Sequence, residues 1–408
     1  MHILDTLKER GFIAQITYED ELYKLFEREQ VTFYEGTEPT ADSMHIGHCL
    51  PFFAMAHMQK AGHRPIALMG GGTAMIGDPS DKAEMRPMLT VEQIDANIQK
   101  IREQISRFLD FSEGKALLVD NADWLRKLNF IDFMREIGAH FSVNRMLTAD
   151  CYKTRMEKGL SFLEFTYMPM QSYDFLELFR RYGCRLQVGG DDQWSNMLGG
   201  ADLIRRKERE AAYVLTFKLI ENTDGTKMGK TVAGALWLDP LRVSPYDFYQ
   251  YWRNVSDADV ERYLALFTFL PMDEVRALGA YKDAQINDAK RVLAYEATKI
   301  IHGEAEAERA QSAAAALFGG GSDAGSVPTA RVNAAQLSED ARLTTLAVRA
   351  GLAASNSKAR QLIQDGGFYI ADEQVTDINR TVSAADFPPE GLLLRKGKKS
   401  YCRVMLDA

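Results

Sequence analysis

Through the first half of the chain, short apolar runs alternate with longer stretches of helical periodicity. Residues Val31 to Tyr34, Pro65 to Met69, Ala116 to Val119 and Cys184 to Val188 read as strands. Ile46 to Gly62 reads as a helix, and Val91 to Leu109 as an amphipathic one. This β-then-α order predicts an α/β fold, a Rossmann-like parallel sheet with crossover helices, whose ligands belong at the carboxyl ends of the strands. Two glycine-rich turns stand at such ends, Gly70-Gly71-Gly72-Thr73 and Gly189-Gly190-Asp191-Asp192. Asn121 to Leu160 interrupts the alternation with helical sequence of mixed polarity. Beyond Thr231 the pattern turns helical through Leu317, with Tyr246, Phe248, Tyr249, Tyr251 and Trp252 clustered as core aromatics. Gly319-Gly320-Gly321-Ser322, followed by Gly325 and Ser326, has linker composition. A helix over Leu343 to Gly351, a second beginning near Ser357, and short strands through Met405 complete a small α+β tail.

At 408 residues the chain exceeds what one core usually fills, so two or three domains are expected. Its 46% hydrophobic and 26% charged residues are those of an ordinary globular protein, and no apolar run approaches a membrane span. A charged N-terminus in place of an apolar leader predicts a cytoplasmic location. Cys49, Cys151, Cys184 and Cys402 are scattered, against both a disulfide framework and a thiolate zinc site. A net charge of -8 argues against nucleic acid as a partner until its distribution is considered. Ala341 to Ala408 carries ten Lys/Arg against seven Asp/Glu, a locally basic module on an acidic body, which is compatible with RNA binding.

Three segments carry the chemistry. His45-Ile46-Gly47-His48 places two imidazoles three residues apart near a helix start, where free amides favour phosphate, and Gly47 leaves room for an adenine ring. Pro51 fits if the helix begins near Gly47, within the tolerated first turn. Tyr167, Gln171 and Asp174 stand at i, i+4 and i+7, one polar stripe in an apolar segment. Such a stripe needs polar partners, from a ligand or from solvent. Lys227-Met228-Gly229-Lys230-Thr231 supplies cations in a loop opened by Asn222-Thr223-Asp224-Gly225, and Lys82 and Arg86 form a second cationic pair that reads equally as a solvated charge run. Asp78, in Gly77-Asp78-Pro79-Ser80, is either a turn cap or a ligand contact.

The order and spacing of the first and third motifs resemble the HIGH and KMSKS signatures of class I aminoacyl-tRNA synthetases, and the segment Phe165 to Phe175 resembles that of the bacterial tyrosyl enzymes. The resemblance covers nearly the whole chain. It implies that Tyr34 and Asp174 bind the phenolic hydroxyl of L-tyrosine and that Asp78, Tyr167 and Gln171 bind its ammonium, with Gln187 and Gln193 completing the substrate set. Gly36, Gly47, Gly190, Asp192, Lys82, Arg86 and Thr231 are implied on the ATP side. Thr40, His45, His48, Lys227 and Lys230 would stabilise the phosphate charge. ATP with Mg²⁺ is the implied co-substrate, with no protein-bound metal, and tRNA(Tyr) and a second copy of the chain are the implied partners. The corresponding division is a catalytic domain over 1–225, with a dimerising insertion near 121–160. A helical anticodon-side domain (226–318), a linker (319–338) and an RNA-binding domain (339–408) like that of ribosomal small-subunit protein four follow. Two departures stand out. Glu38 occupies a usual Asp position, and the third motif reads Met-Gly-Lys-Thr. A tryptophanyl synthetase, a nucleotidyltransferase with His-x-Gly-His and an inactive RNA-binding scaffold remain as alternative readings.

Overall fold

The structure, a computed structural model, describes residues 1–80, 88–223, 228–231, 234–319, 329–353, 355–371, 373–389, 391–397 and 400–407. Its centre is a six-stranded sheet of β1 (Ile13–Ile16), β2 (Thr32–Thr37), β3 (Arg64–Met69), β4 (Leu117–Asp120), β5 (Leu186–Gly190) and β6 (Tyr213–Phe217) in the order β1-β6-β5-β2-β3-β4. All neighbours are parallel except β1 on β6. Chain progress runs outward from β2 through β3 to β4 on one side and from β5 to β6 on the other. The reversal therefore lies between β2 and β5, and a crevice opens above their carboxyl ends.

Alternation along β2 shows how the layers form. Phe33 points into a core shared with Leu186, Leu215 and the Leu50–Lys60 helix, whereas Tyr34 points into the opposite core with Ile66, Phe175 and Leu203. The Val91–Ile105 helix, its Thr90 cap reciprocated by Gln93, covers the first face through Ile94, Ile98, Ile101 and Ile105. The Tyr167–Tyr182 and Trp194–Lys207 helices cover the second. Strands β2, β4 and β5 each reach further toward the crevice than the apolar runs alone indicate, because the polar and glycine residues that end them still pair in the ladder. The helix expected from Ile46 is a 3₁₀ turn over Ile46–His48 and then the Leu50–Lys60 helix, with Pro51 in its first turn.

The insertion is helical, as expected: Ala122–Leu125, Phe130–Glu136, Val143–Met146 and Asp150–Met156. After a two-stranded hairpin, β7 (Lys230–Thr231) with β8 (Gly234–Ala235), come the helices Pro245–Arg253, Val260–Phe267, Met272–Gly279, Ile286–His302 and Glu304–Gly319. The aromatic cluster is core here. Trp252 is fully buried, with its ring 5.1 Å from Phe267 and 5.9 Å from Tyr263. This core is continuous with that of the sheet. Val332, Leu346, Phe368, Leu394 and Val404 form a separate core in the tail. There β9 (Thr329–Asn333), β10 (Phe368–Ile370), β11 (Glu373–Gln374), β12 (Leu392–Lys396) and β13 (Ser400–Asp407) make a sheet in the order β11-β10-β12-β13-β9.

The first helix, Ile3–Glu9, is tied to the helical segment by Glu9, which pairs with Arg276, and by Arg10 just after it. The buried Arg10 guanidinium donates to the carbonyls of Ala265 at 2.9 Å, Thr268 at 3.2 Å and Leu270, groups left over where the Val260–Phe267 helix ends. Arg10→Ala leaves those carbonyls without their donor at about 1–3 kcal/mol each, so a loss of about 3 kcal/mol in urea unfolding is expected. A change below about 0.5 kcal/mol would mean that water replaces the guanidinium without cost.

Candidate active site

A cavity of about 700 Å³ occupies the crevice above β2 and β5. It is large enough for an amino acid and a nucleotide together. Its wall includes Tyr34, Gly36, Thr40, His45, Gly47, His48, Asp78, Tyr167, Gln171, Asp174, Gln187, Gly190, Asp192 and Gln193, which were singled out from segments spread over 160 residues. Lys82, Arg86 and Lys227 lie outside the described residues, and Lys230 and Thr231 form β7 in the backbone.

At the floor, the Tyr167–Tyr182 helix turns its polar stripe inward. Asp174 is buried and receives hydrogen bonds from Trp124 Nε1 at 2.7 Å and Asn121 Nδ2 at 2.9 Å. Burial pushes its carboxyl up to about 7, opposed by those two donors. Tyr34 lies opposite, 1% exposed, and its phenol is raised well above the ordinary value by burial and then by Asp174. Its hydroxyl has no hydrogen-bond partner among the described residues, and neither does Oε1 of Gln171 or of Gln187. Three buried polar atoms facing one cavity, each costing about 1–3 kcal/mol if left unpaired, indicate a polar occupant. The solvent-facing reading of the stripe is thereby set aside.

Further up the wall, Asp78 caps its turn and also lines the cavity. One carboxylate oxygen accepts from the Ser80 amide at 2.9 Å, closing the turn, and the other accepts from Gln193 Nε2 at 2.7 Å. Gln193 Nε2 also donates to Asp192 at 3.0 Å, so one amide links the two carboxylates. Tyr167 is buried beside Glu38 and Asp78; burial, then these two charges, raise its phenol.

At the mouth, His45 caps the 3₁₀ turn, its Nδ1 accepting from the Gly47 amide at 3.1 Å, and its ring stacks on His48 at 3.7 Å. A Cβ on Gly47 would come within 3.0 Å of that imidazole, so the glycine makes room for the protein's own ring. Of the two signature motifs, the second, around Gly229, packs directly on the first, around Ile46. Gly229 has φ +76°, and a Cβ there would lie 2.6 Å from Ile46 Cγ2. Glycine in this position is what admits the close contact.

Residues 27–319 match the family described as tRNA synthetases class I (W and Y), and residues 323–404 match the tyrosine–tRNA ligase SYY-like C-terminal domain. The chain belongs to the class I tRNA synthetases of the W and Y type. It is 59% identical to the tyrosine–tRNA ligase of Clostridium tetani (strain Massachusetts / E88) over 406 residues, covering 100% of this chain and 99% of that one. It is 57% identical to that of Clostridium botulinum (strain 657 / Type Ba4) over the whole of both chains. Among solved structures it resembles a C-terminally truncated mitochondrial tyrosyl-tRNA synthetase of Aspergillus nidulans, with TM-score 0.70 and 30% identity over 78% of this chain and 94% of that one.

For a class I synthetase, the residues that sequence reasoning missed are instructive. Asn121 and Trp124 support Asp174 from just beyond β4, and Asn121 also accepts from the Gly72 amide at 2.7 Å. Extending the strand-end rule to β4 would have found them. Glu35 was missed as well. It is buried in β2 on the cavity wall, held by Thr37 Oγ1 at 2.8 Å, with its carboxyl pushed up to about 7 by burial.

Asp174 generates a pH prediction with two opposite signs. A carboxyl whose pKa is raised on folding contributes stability that is present below its ordinary value near 4 and lost as pH rises through 7. The unliganded fold should therefore gain stability on acidification from pH 8 to 5, and Asp174→Asn should remove part of that gain while Glu35 keeps its share. Binding of a phenol donor needs the ionised form, so tyrosine affinity should weaken as pH falls below 7, and Asp174→Asn should flatten that profile. Titration of tyrosine by intrinsic fluorescence from pH 5.5 to 8 measures it. A profile unchanged by Asp174→Asn would assign the dependence to another group.

Proposed function

We infer that this chain is a tyrosine–tRNA ligase, which joins L-tyrosine to ATP as tyrosyl-adenylate with release of pyrophosphate and then passes tyrosine to the 3′ end of tRNA(Tyr). The observation that carries the reading is the unpartnered Tyr34 hydroxyl beside buried Asp174 at the closed end of the cavity. A substrate phenol there donates to Asp174 and accepts from Tyr34. Its ammonium then falls among Asp78, Tyr167 and Gln171, near the mouth where His45 and His48 precede the Leu50–Lys60 helix.

The substrate carboxylate is itself the nucleophile. It attacks the α-phosphorus, the bond to the bridging oxygen breaks, and pyrophosphate leaves with the electron pair, so no protein base is needed. The work left to the chain is alignment and charge stabilisation. Thr40, His45, His48, Lys227 and Lys230 take the phosphate charge, assisted by Lys82 and Arg86. Asp192 accepts from a ribose hydroxyl. Gly36, Gly47 and Gly190 let the nucleotide approach the backbone, and Thr231 joins on the loop side. Gln187 and Gln193 hold the amino acid. Mg²⁺ enters as the phosphate counter-ion. In the second step a terminal ribose hydroxyl of tRNA attacks the acyl carbon and AMP departs. The helical segment 226–318 and the basic module 339–408, joined by 319–338, serve tRNA.

The active unit is a homodimer in the cytoplasm. Phe130, Ile131, Val143 and Phe162, in and just after the 121–160 insertion, are 55–66% exposed. Apolar surface of that density in one segment favours a protein partner.

ATP–pyrophosphate exchange tests the assignment. Tyrosine should drive it, and phenylalanine far less, because it strands the desolvated Asp174 and Tyr34 groups. Exchange with tryptophan at comparable efficiency would refute the tyrosyl reading. The double variant Ile131→Asp and Phe162→Asp should sediment as a monomer at micromolar concentration. A dimer that survives both changes would place the interface elsewhere.

A further inference from the structure

The backbone after the second motif is stitched to the first. Ile46 N donates to the Leu236 carbonyl and Leu238 N to the Met44 carbonyl, both at 2.9 Å, which sets His45 opposite Trp237 in an antiparallel bridge. Residues directly opposite in such a pair present their side chains to one another. The Trp237 indole meets the His45 imidazole edge to face, with centroids 5.9 Å apart at 70°, and His45 stacks on His48. The Arg242 guanidinium sits over the indole, 4.6 Å from the ring centre, and is salt-bridged to Asp42, which also pairs with Lys100 at 3.0 Å. Ser43 Oγ accepts from Gln104 Nε2 at 2.9 Å and from the Asp239 amide at 3.2 Å. The chain on either side of the His45–Trp237 pair is thus fixed, whereas Gly47 and His48 are exposed at the cavity mouth.

A half-buried tryptophan here adds little to the core. What it supplies is a further wall for the His45 ring, beside the Gly47 amide on Nδ1 and the His48 stack, and a cation over that wall restrains the wall itself. We propose that Trp237, clamped by the Arg242–Asp42 pair, is a positioning residue that holds His45, and through it His48, in the orientation that meets the triphosphate. The proposal rests on the reading of these two histidines as phosphate ligands. It adds that the base of the second motif's hairpin sets their geometry, so that the two motifs act as one unit.

The test is ATP–pyrophosphate exchange by the full chain, with ATP and tyrosine parameters measured separately. Trp237→Leu should lower kcat/KM for ATP about tenfold, the upper end of what one aromatic pair supplies, with tyrosine affinity within about twofold. Trp237→Phe, which keeps a ring edge, should recover most of the loss. In a His45→Asn background Trp237→Leu should add nothing, because its action passes through the missing imidazole. Arg242→Gln, a surface change, gives the same comparison if the leucine variant folds poorly, with about a threefold effect expected. Full additivity with His45→Asn, or equal damage to tyrosine and ATP, would overturn the proposal. If His45→Asn alone leaves exchange intact, the underlying phosphate reading fails and the proposal fails with it.

Discussion

Burying an ionisable carboxyl at the closed end of a cavity constrains nearly everything around it. Asp174 sits at the cavity above β2 and β5, on a helix packed against the sheet through Phe175 and Leu178. A charge there is tolerable only with fixed donors, and the two it has, Asn121 and Trp124, come from the far side of the sheet beyond β4. The position of the insertion's first turn, the closeness of the Gly70-Gly71-Gly72 loop, and the inward direction of the polar stripe all follow from satisfying that one group. Gly72 makes the point in miniature. A Cβ there would come within 2.9 Å of Leu125, and its amide donates to the Asn121 carbonyl oxygen that aligns the amide for Asp174.

The parts of this arrangement that were legible in the sequence are those whose physics is local. Apolar runs and helix periods gave β2 to β5 and the Leu50–Lys60 and Val91–Ile105 helices on one face, because one-face burial imposes a repeat, whereas the Trp194–Lys207 helix on the other face was not read. The motif residues Tyr34, His45, His48, Tyr167, Gln171 and Asp174 were legible through spacing and resemblance, and they do share one cavity. The edge strand β1 and its neighbour β6 were not read. Ile13-Ala14-Gln15-Ile16 is too short to carry a period, and it is a strand only because Ile13, Gln15 and Ile16 meet Phe217, Thr216 and Leu215, partners with no trace in its own composition. Trp124 and Trp237 escaped for a related reason. An indole reads as core from sequence, and only tertiary geometry shows that one donates to a carboxylate while the other walls an imidazole.

The His45–His48 motif and the chain just after Gly229, far apart in sequence, share one backbone bridge, and Gly229 itself is tied down. Tyr251 Oη accepts from the Gly229 amide at 3.2 Å, and Leu236 N donates to the Gly229 carbonyl at 2.7 Å, so Gly229 is held on both sides by the helical segment and the hairpin base. Gly229 is therefore fixed relative to the hairpin and the helical segment together. The continuous core beneath it runs from Phe53 to Trp252 and Phe267 and joins that segment to the sheet.

The antiparallel pairing of β1 with β6 has a consequence for how the protein is made. β1 leaves the ribosome first, yet its partner Leu215 follows Ile16 by roughly 200 residues, a delay of about 10 to 40 s at ordinary elongation rates. Throughout that interval the nascent N-terminal segment carries Phe12, Ile13 and Ile16 with no ladder to join, and Arg10 waits longer still for the carbonyls near Thr268. The sheet therefore closes only once Phe217 has been made, about midway through the 408 residues, and until then the segment around β1 is the strand a chaperone would have to shield longest.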